Sequence, residues 1–125
     1  MSLTETKYNG IDDLFISIGS TGLTADQDEG LPVMMNDSDE VALPSAEDPI
    51  AGVLGQDIGS DGIVGLQVEG FVTLDYSGTA PTVGATELVC DGSGGVKTPT
   101  TAGTGLKKYL VVNVDTTNTE VTFKL

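Results

Sequence analysis

The sequence predicts an all-β protein, a small barrel or sandwich built from two similar hairpin-rich halves with an N-terminal arm. Three observations lead there. β-Branched residues are abundant, with thirteen Val, six Ile and sixteen Thr among 125 residues, and such side chains favour a pleated strand over a helix. Seventeen Gly and five Pro interrupt the chain so often that a multi-turn helix has few places to form. The apolar residues also alternate. Val64, Leu66 and Val68 stand between Gly65, Gln67 and Glu69, and Val72 and Leu74 flank Thr73 and precede Asp75. That spacing puts one set on a single face of a strand.

In chain order, residues 1–29 read as an arm and first strand. Within Ile11 to Ile18, Leu14, Ile16 and Ile18 share one face and Phe15 takes the other. Such a segment either opens the barrel or adds to a partner's sheet edge. Gly19 to Gly22 ends it, and Thr24 to Gly30 is an acidic loop. Residues 30–125 form a single β domain. Pro32 to Met35 is a strand, Asn36 to Glu40 a turn, and Val41 to Leu43 the return. Pro44 to Pro49 is a loop with room for one helical turn. Ile50 to Ile58 leads into a central hairpin through Asp61-Gly62, a dipeptide suited to positive backbone angles. Gly70 marks a bend or bulge between two alternating runs. After the loop from Ser77 to Gly84, Leu88 to Cys90 is a strand and Asp91 to Gly95 a turn into Val96. Beyond the Thr- and Gly-rich loop from Lys97 to Gly105, Leu110, Val112 and Val114 share one strand face. Thr116 to Thr119 then turns the chain into Val121, Phe123 and Leu125.

The halves resemble each other. Val41 and Val96, and likewise Pro44 and Pro99, lie 55 residues apart, while Val64, Leu66 and Val68 precede Val121, Phe123 and Leu125 by 57. The half-repeats run from about 31 to 76 and from about 84 to 125. Two such units suggest closure about a pseudo-twofold axis.

Charge narrows the function. Nineteen acids oppose five lysines, with no His, for a formal charge of −14. Phosphate backbones need clustered Lys and Arg, so nucleic acid is not an expected partner. An anionic membrane surface is disfavoured for the same reason. With no Trp, three Phe and three Tyr, the core is thin, and further burial against copies of itself would help. Cys90 stands alone, so no internal disulfide is expected. The first ten residues lack the pattern of a secretory signal, which places folding in a cytoplasm.

No catalytic residues are expected. Without His, the commonest general base and the Ser-His and Cys-His pairs are missing, and carboxylates in exposed turns lack the burial that raises a pKa. Gly92 to Gly95 has neither the following Lys nor the helix of a phosphate-binding loop. Asp26, Asp28 and Glu29, or Asp37, Asp39 and Glu40, offer oxygen ligands for calcium. Neither set follows the twelve-residue loop pattern, so no metal and no cofactor is expected.

The order of pieces resembles the capsid cement, or head-decoration, proteins of tailed bacteriophages. The residues that carry the likeness are Gly30-Leu31-Pro32-Val33, Val41-Ala42, Gly52-Val53 and Gly70 to Leu74. Val83-Gly84 with Leu88-Val89, Asp91 to Val96, and Val121 to Leu125 complete it. The likeness covers about residues 30–125; the arm lies outside it, and the acidity and the loop from Lys97 to Gly105 depart from it. The resemblance implies a structural virion protein without enzymatic activity. Such a protein is made in the host bacterial cytoplasm and binds the outside of an assembled head. There it stabilises contacts of the major capsid protein, as a homo-oligomer and most often a trimer. Leu14, Phe15 and Ile16 would be the coat-binding anchors of the arm. The competing reading is a carbohydrate-binding or adhesion module of a surface assembly, although Tyr8, Tyr76 and Tyr109 are scattered along the chain and make no evident stacking platform.

Overall fold

A computed structural model of the chain describes residues 14–23, 30–55, 62–101 and 106–125. Residues 1–13, 24–29, 56–61 and 102–105 lie outside them, and with these most of the expected arm, the expected acidic loop and parts of the segments expected around Ile58 and Gly103. The described chain is all-β. Its strands are β1 (Leu14–Gly19), β2 (Pro32–Met35), β3 (Val41–Ala42), β4 (Gly52–Leu54), β5 (Ile63–Glu69) and β6 (Phe71–Asp75), then β7 (Gly84–Glu87), β8 (Val89–Cys90), β9 (Val96–Lys97), β10 (Lys108–Asp115) and β11 (Glu120–Lys124). All strand pairs are antiparallel. One sheet has the order β1-β5-β4-β2-β3, a second β6-β11-β10-β7, and β8-β9 is a separate ribbon. Neither sheet closes into a barrel, and the arrangement is that of a small β-sandwich.

The two sheets follow one plan. β1 pairs with β5 as β6 pairs with β11, setting Ile16 opposite Leu66 and Ile18 opposite Val64, and likewise Val72 opposite Phe123 and Leu74 opposite Val121. Single-residue parallel bridges tie Ser20 to Val41 and Tyr76 to Val96. The turns agree in detail. Asn36 Oδ1 accepts hydrogen bonds from the amides of Ser38 and Glu40, as Asp91 Oδ1 does from those of Ser93 and Gly95. Asn36 N–H donates to Glu40 O as Asp91 N–H donates to Gly95 O. The fourth residue of each turn has positive φ, Asp39 at 60° and Gly94 at 93°. An Asx side chain that satisfies two turn amides fixes such a loop without regular pairing.

This correspondence sets different unit limits from those read in the sequence. The first unit begins at β1, and Phe71–Asp75 opens the second unit instead of ending the first. At Gly70, with φ 104°, the chain passes from one sheet into the other. A left-handed residue there lets two alternating runs that look continuous in sequence belong to different sheets.

Two other local expectations change. The segment from Pro44 to Pro49 holds a tight turn and no helix, with Ser45 N–H bonded to Asp48 Oδ2 and Asp48 N–H to Ser45 O. In β10 the buried side chains are Tyr109 and Val111, while Leu110 is half exposed. A register shift between Val111 and Asn113 then reverses the phase and brings Val114 against the core. A bulge of this kind inserts one residue and flips every side chain beyond it.

Two apolar clusters result. The smaller belongs to the first unit: Val33, Val41, Leu54, Val64 and Leu66, with Ile18, Leu23 and Val68 packed at its side. The larger joins Val72, Leu74, Leu88, Val96, Val111, Val121 and Phe123 to Ile50 and Val53 from the first unit. At its centre Tyr109 meets Phe123 edge to face, with centroids 5.3 Å apart, a pair that adds about 0.5–1.5 kcal/mol beyond its burial. The Tyr109 hydroxyl donates to Ile50 O at 3.3 Å. The larger cluster is therefore shared by the two units.

Candidate functional site

β1 is the outermost strand of its sheet, and one of its two edges has no partner among the described residues. On the paired side, Leu14 faces Glu69, Phe15 faces Gln67 and Ile16 faces Leu66, with a register shift between Leu14 and Phe15. Both faces of this strand carry large apolar groups. Leu14 is 51% exposed, Phe15 50% and Ile16 41%. Ile16 lies on the same face as Leu66 and the small cluster. Phe15 lies on the opposite face over two glycines, where a β-carbon on Gly55 would stand 3.3 Å from Phe15 Cε2 and one on Gly65 4.0 Å away. The absence of side chains at Gly55 and Gly65 lets the ring lie down on the sheet.

The structure therefore brings Leu14, Phe15 and Ile16 together on one strand, and that strand is integrated in the first sheet. Ile63, across from Gly19, extends the exposed apolar surface and is 47% exposed. Alternation alone misses Ile63, because its neighbour Val64 is the residue that turns inward. Charge surrounds this edge. Glu40 accepts a hydrogen bond from Thr21 Oγ1 at 2.6 Å, and Glu69 lies 3.4 Å from Lys124.

Elsewhere four described groups have their ionisation shifted by their surroundings. Burial, aided by the charges of Asp48 and Asp91, pushes the Cys90 thiol up to about 12, which removes the thiolate a nucleophile needs. Burial likewise raises Tyr109. Hydrogen bonds from Thr100, side chain and backbone, lower Glu47, and those from the side chain and backbone of Asn118 lower Asp115. Both carboxyls are thereby held as carboxylates at neutral pH. Among the described residues no three His, Cys, Asp or Glu side chains gather as a metal centre requires. Asp26, Asp28 and Glu29 lie outside those residues.

Two open clefts complete the surface. One of about 220 Å³ lies between Leu31, Pro32, Leu43 and Pro44 of the first unit and Gly92 to Gly94 of the second. The other, of about 350 Å³, is lined by Ser77 to Thr79 and Lys97 to Thr100. Its single charged group, Lys97, is engaged with Glu47 at 3.3 Å. No family model matches the chain, and comparison with curated proteins and with solved structures finds no similar protein.

Proposed function

We propose that the chain is a capsid decoration protein. It binds the exterior of an assembled phage head and stabilises contacts between subunits of the major capsid protein. The reading starts from the resemblance over residues 30–125. One observation supports the mode of contact: β1 presents Leu14, Phe15 and Ile16 half exposed beside a strand edge that has no partner strand among the described residues. An extended coat segment added along that edge would satisfy the free backbone groups and cover the apolar side chains together. The protein works on the virion exterior as an oligomer, a trimer by the same resemblance, after synthesis in the host bacterial cytoplasm. No cofactor, nucleic acid or membrane takes part.

The carbohydrate-binding alternative receives little support. Tyr76 and Tyr109 are buried, so neither offers a ring face to a sugar. The test is direct binding to assembled coat shells. Deleting residues 1–18 removes most of a sheet strand and will also disturb folding, so single substitutions are the sharper probe. Leu14→Glu and Phe15→Glu are expected to weaken shell binding at least ~tenfold, since a buried apolar anchor contributes on that scale. Their melting temperatures should stay close to that of the parent. Shells that do not bind the parent chain would overturn the reading.

A further inference from the structure

The charge of this chain is very unevenly divided between its two units. Residues 1–70 hold fourteen acids and one lysine, whereas residues 71–125 hold five acids and four lysines. Among the described residues the first unit holds six acids (Asp37, Asp39, Glu40, Glu47, Asp48 and Glu69) and no lysine, whereas the second holds five acids and four lysines and is close to neutral. Two copies that approach through their first units repel each other. Two that approach through their second units do not.

The second unit also carries apolar surface of its own. Leu110 on β10 is 50% exposed, and its cross-strand neighbour on β7, Ala85, is exposed as well. Val83, two residues ahead of Ala85, is 67% exposed. β7 is the last strand of its sheet, with β10 on one side and no strand on the other among the described residues. On this face Lys108 lies across from Glu87, and Lys124, across from Leu110, is engaged with Glu69. A near-neutral face with an apolar centre suits a second copy of the same chain, because burying it adds no net repulsion between the copies.

We propose that this face, made by Val83, Ala85 and Leu110 on β7 and β10, is where copies of the chain meet. The second units gather at the contact, and the acidic first units point away from one another with β1 left accessible. The inference deepens the oligomeric part of the reading above and does not depend on the capsid.

The test is sedimentation velocity on the full chain over a wide concentration range, at low and high salt. The parent chain is expected to associate, and added salt should hold or strengthen association by screening the first units from one another. Leu110→Glu and Val83→Glu should each weaken association at least ~tenfold, with unchanged circular dichroism and melting in dilute solution. Ile16→Glu, on the other unit, should associate like the parent. A parent chain that stays monomeric throughout would overturn the proposal. So would association unchanged by both second-unit substitutions, or association abolished by Ile16→Glu. Failure of shell binding with association intact would count against the capsid reading alone.

Discussion

Ile16 and Val72 occupy the same place in the two units, opposite Leu66 and Phe123 respectively, yet their surroundings differ. Val72 is 8% exposed and Ile16 41%. Val72 belongs to the larger cluster, which also takes in Ile50 and Val53 from the first unit, whereas Ile16 belongs to neither cluster. Truncation to alanine should invert the order expected from side-chain size. Val72→Ala removes two buried carbons, worth about 1.6 kcal/mol in transfer free energy, and the cavity left behind raises the cost to about 2–3 kcal/mol. Ile16→Ala removes three carbons, but the group is two-fifths exposed and its site is open, so about 1 kcal/mol is expected. Urea unfolding followed by far-ultraviolet circular dichroism, in dilute solution, measures both against the parent. Equal slopes with shifted midpoints would identify the changes as losses of stability. If Ile16→Ala costs as much as Val72→Ala, the open face of the first unit is not open, and the account of β1 as an available surface fails.

Three further outcomes follow from the same geometry. Gly95→Ala sets a β-carbon 2.5 Å from Asp75 O and 3.0 Å from Asp91 Oδ2, so overpacking should cost about 1–3 kcal/mol by urea unfolding. Asp91→Ala should cost about 1–2 kcal/mol in the same assay by freeing the amides of Ser93 and Gly95. Asp91→Asn should retain most of that, because Asn36 performs the same task in the first unit. Cys90, with its thiol pushed up to about 12, should resist iodoacetamide at mildly alkaline pH in the native state and react once urea is added. Its folded pKa lies above the ordinary value of 9.0, so the native state holds this proton more tightly. The associated stability is full below that ordinary value and fades as pH climbs from there toward about 12.

Much of this architecture is legible in the sequence because its turns are chemically explicit. Asn36 and Asp91, each followed by small or polar residues, announce the paired turns, and the 55-residue spacing announces the duplication. The phase of the duplication is harder to read. Phe71–Asp75 continues the apolar alternation of Ile63–Glu69, and only the backbone angle of Gly70 separates them. In β10 the run Tyr109-Leu110-Val111-Val112 is apolar in both phases, so alternation cannot say which side turns inward, and the bulge at Val112 leaves no mark on composition. Leu14, Phe15 and Ile16 stand out as an apolar group, but their pairing with β5 is a long-range contact that no local pattern encodes. The exposure of Leu110 and Val83 is hidden for the same reason.

The two units divide what a protein of this size has to supply. The second holds the aromatic pair and the larger cluster, and it is completed by Ile50 and Val53, so it cannot be whole without the first. The first retains a small cluster and most of the charge, and of its outermost strand only Ile18 packs against that cluster. Contacts already used in folding are not available to a partner without loss of stability, whereas side chains left half exposed are. The half-exposed side chains of β1 are therefore what the first unit has to offer another surface. The neutral second unit, in turn, can bring copies together where the acidic first unit would drive them apart. A duplicated sheet thus becomes two different surfaces through the placement of two crossing aliphatic residues and, among the described residues, six net negative charges in one unit against one in the other.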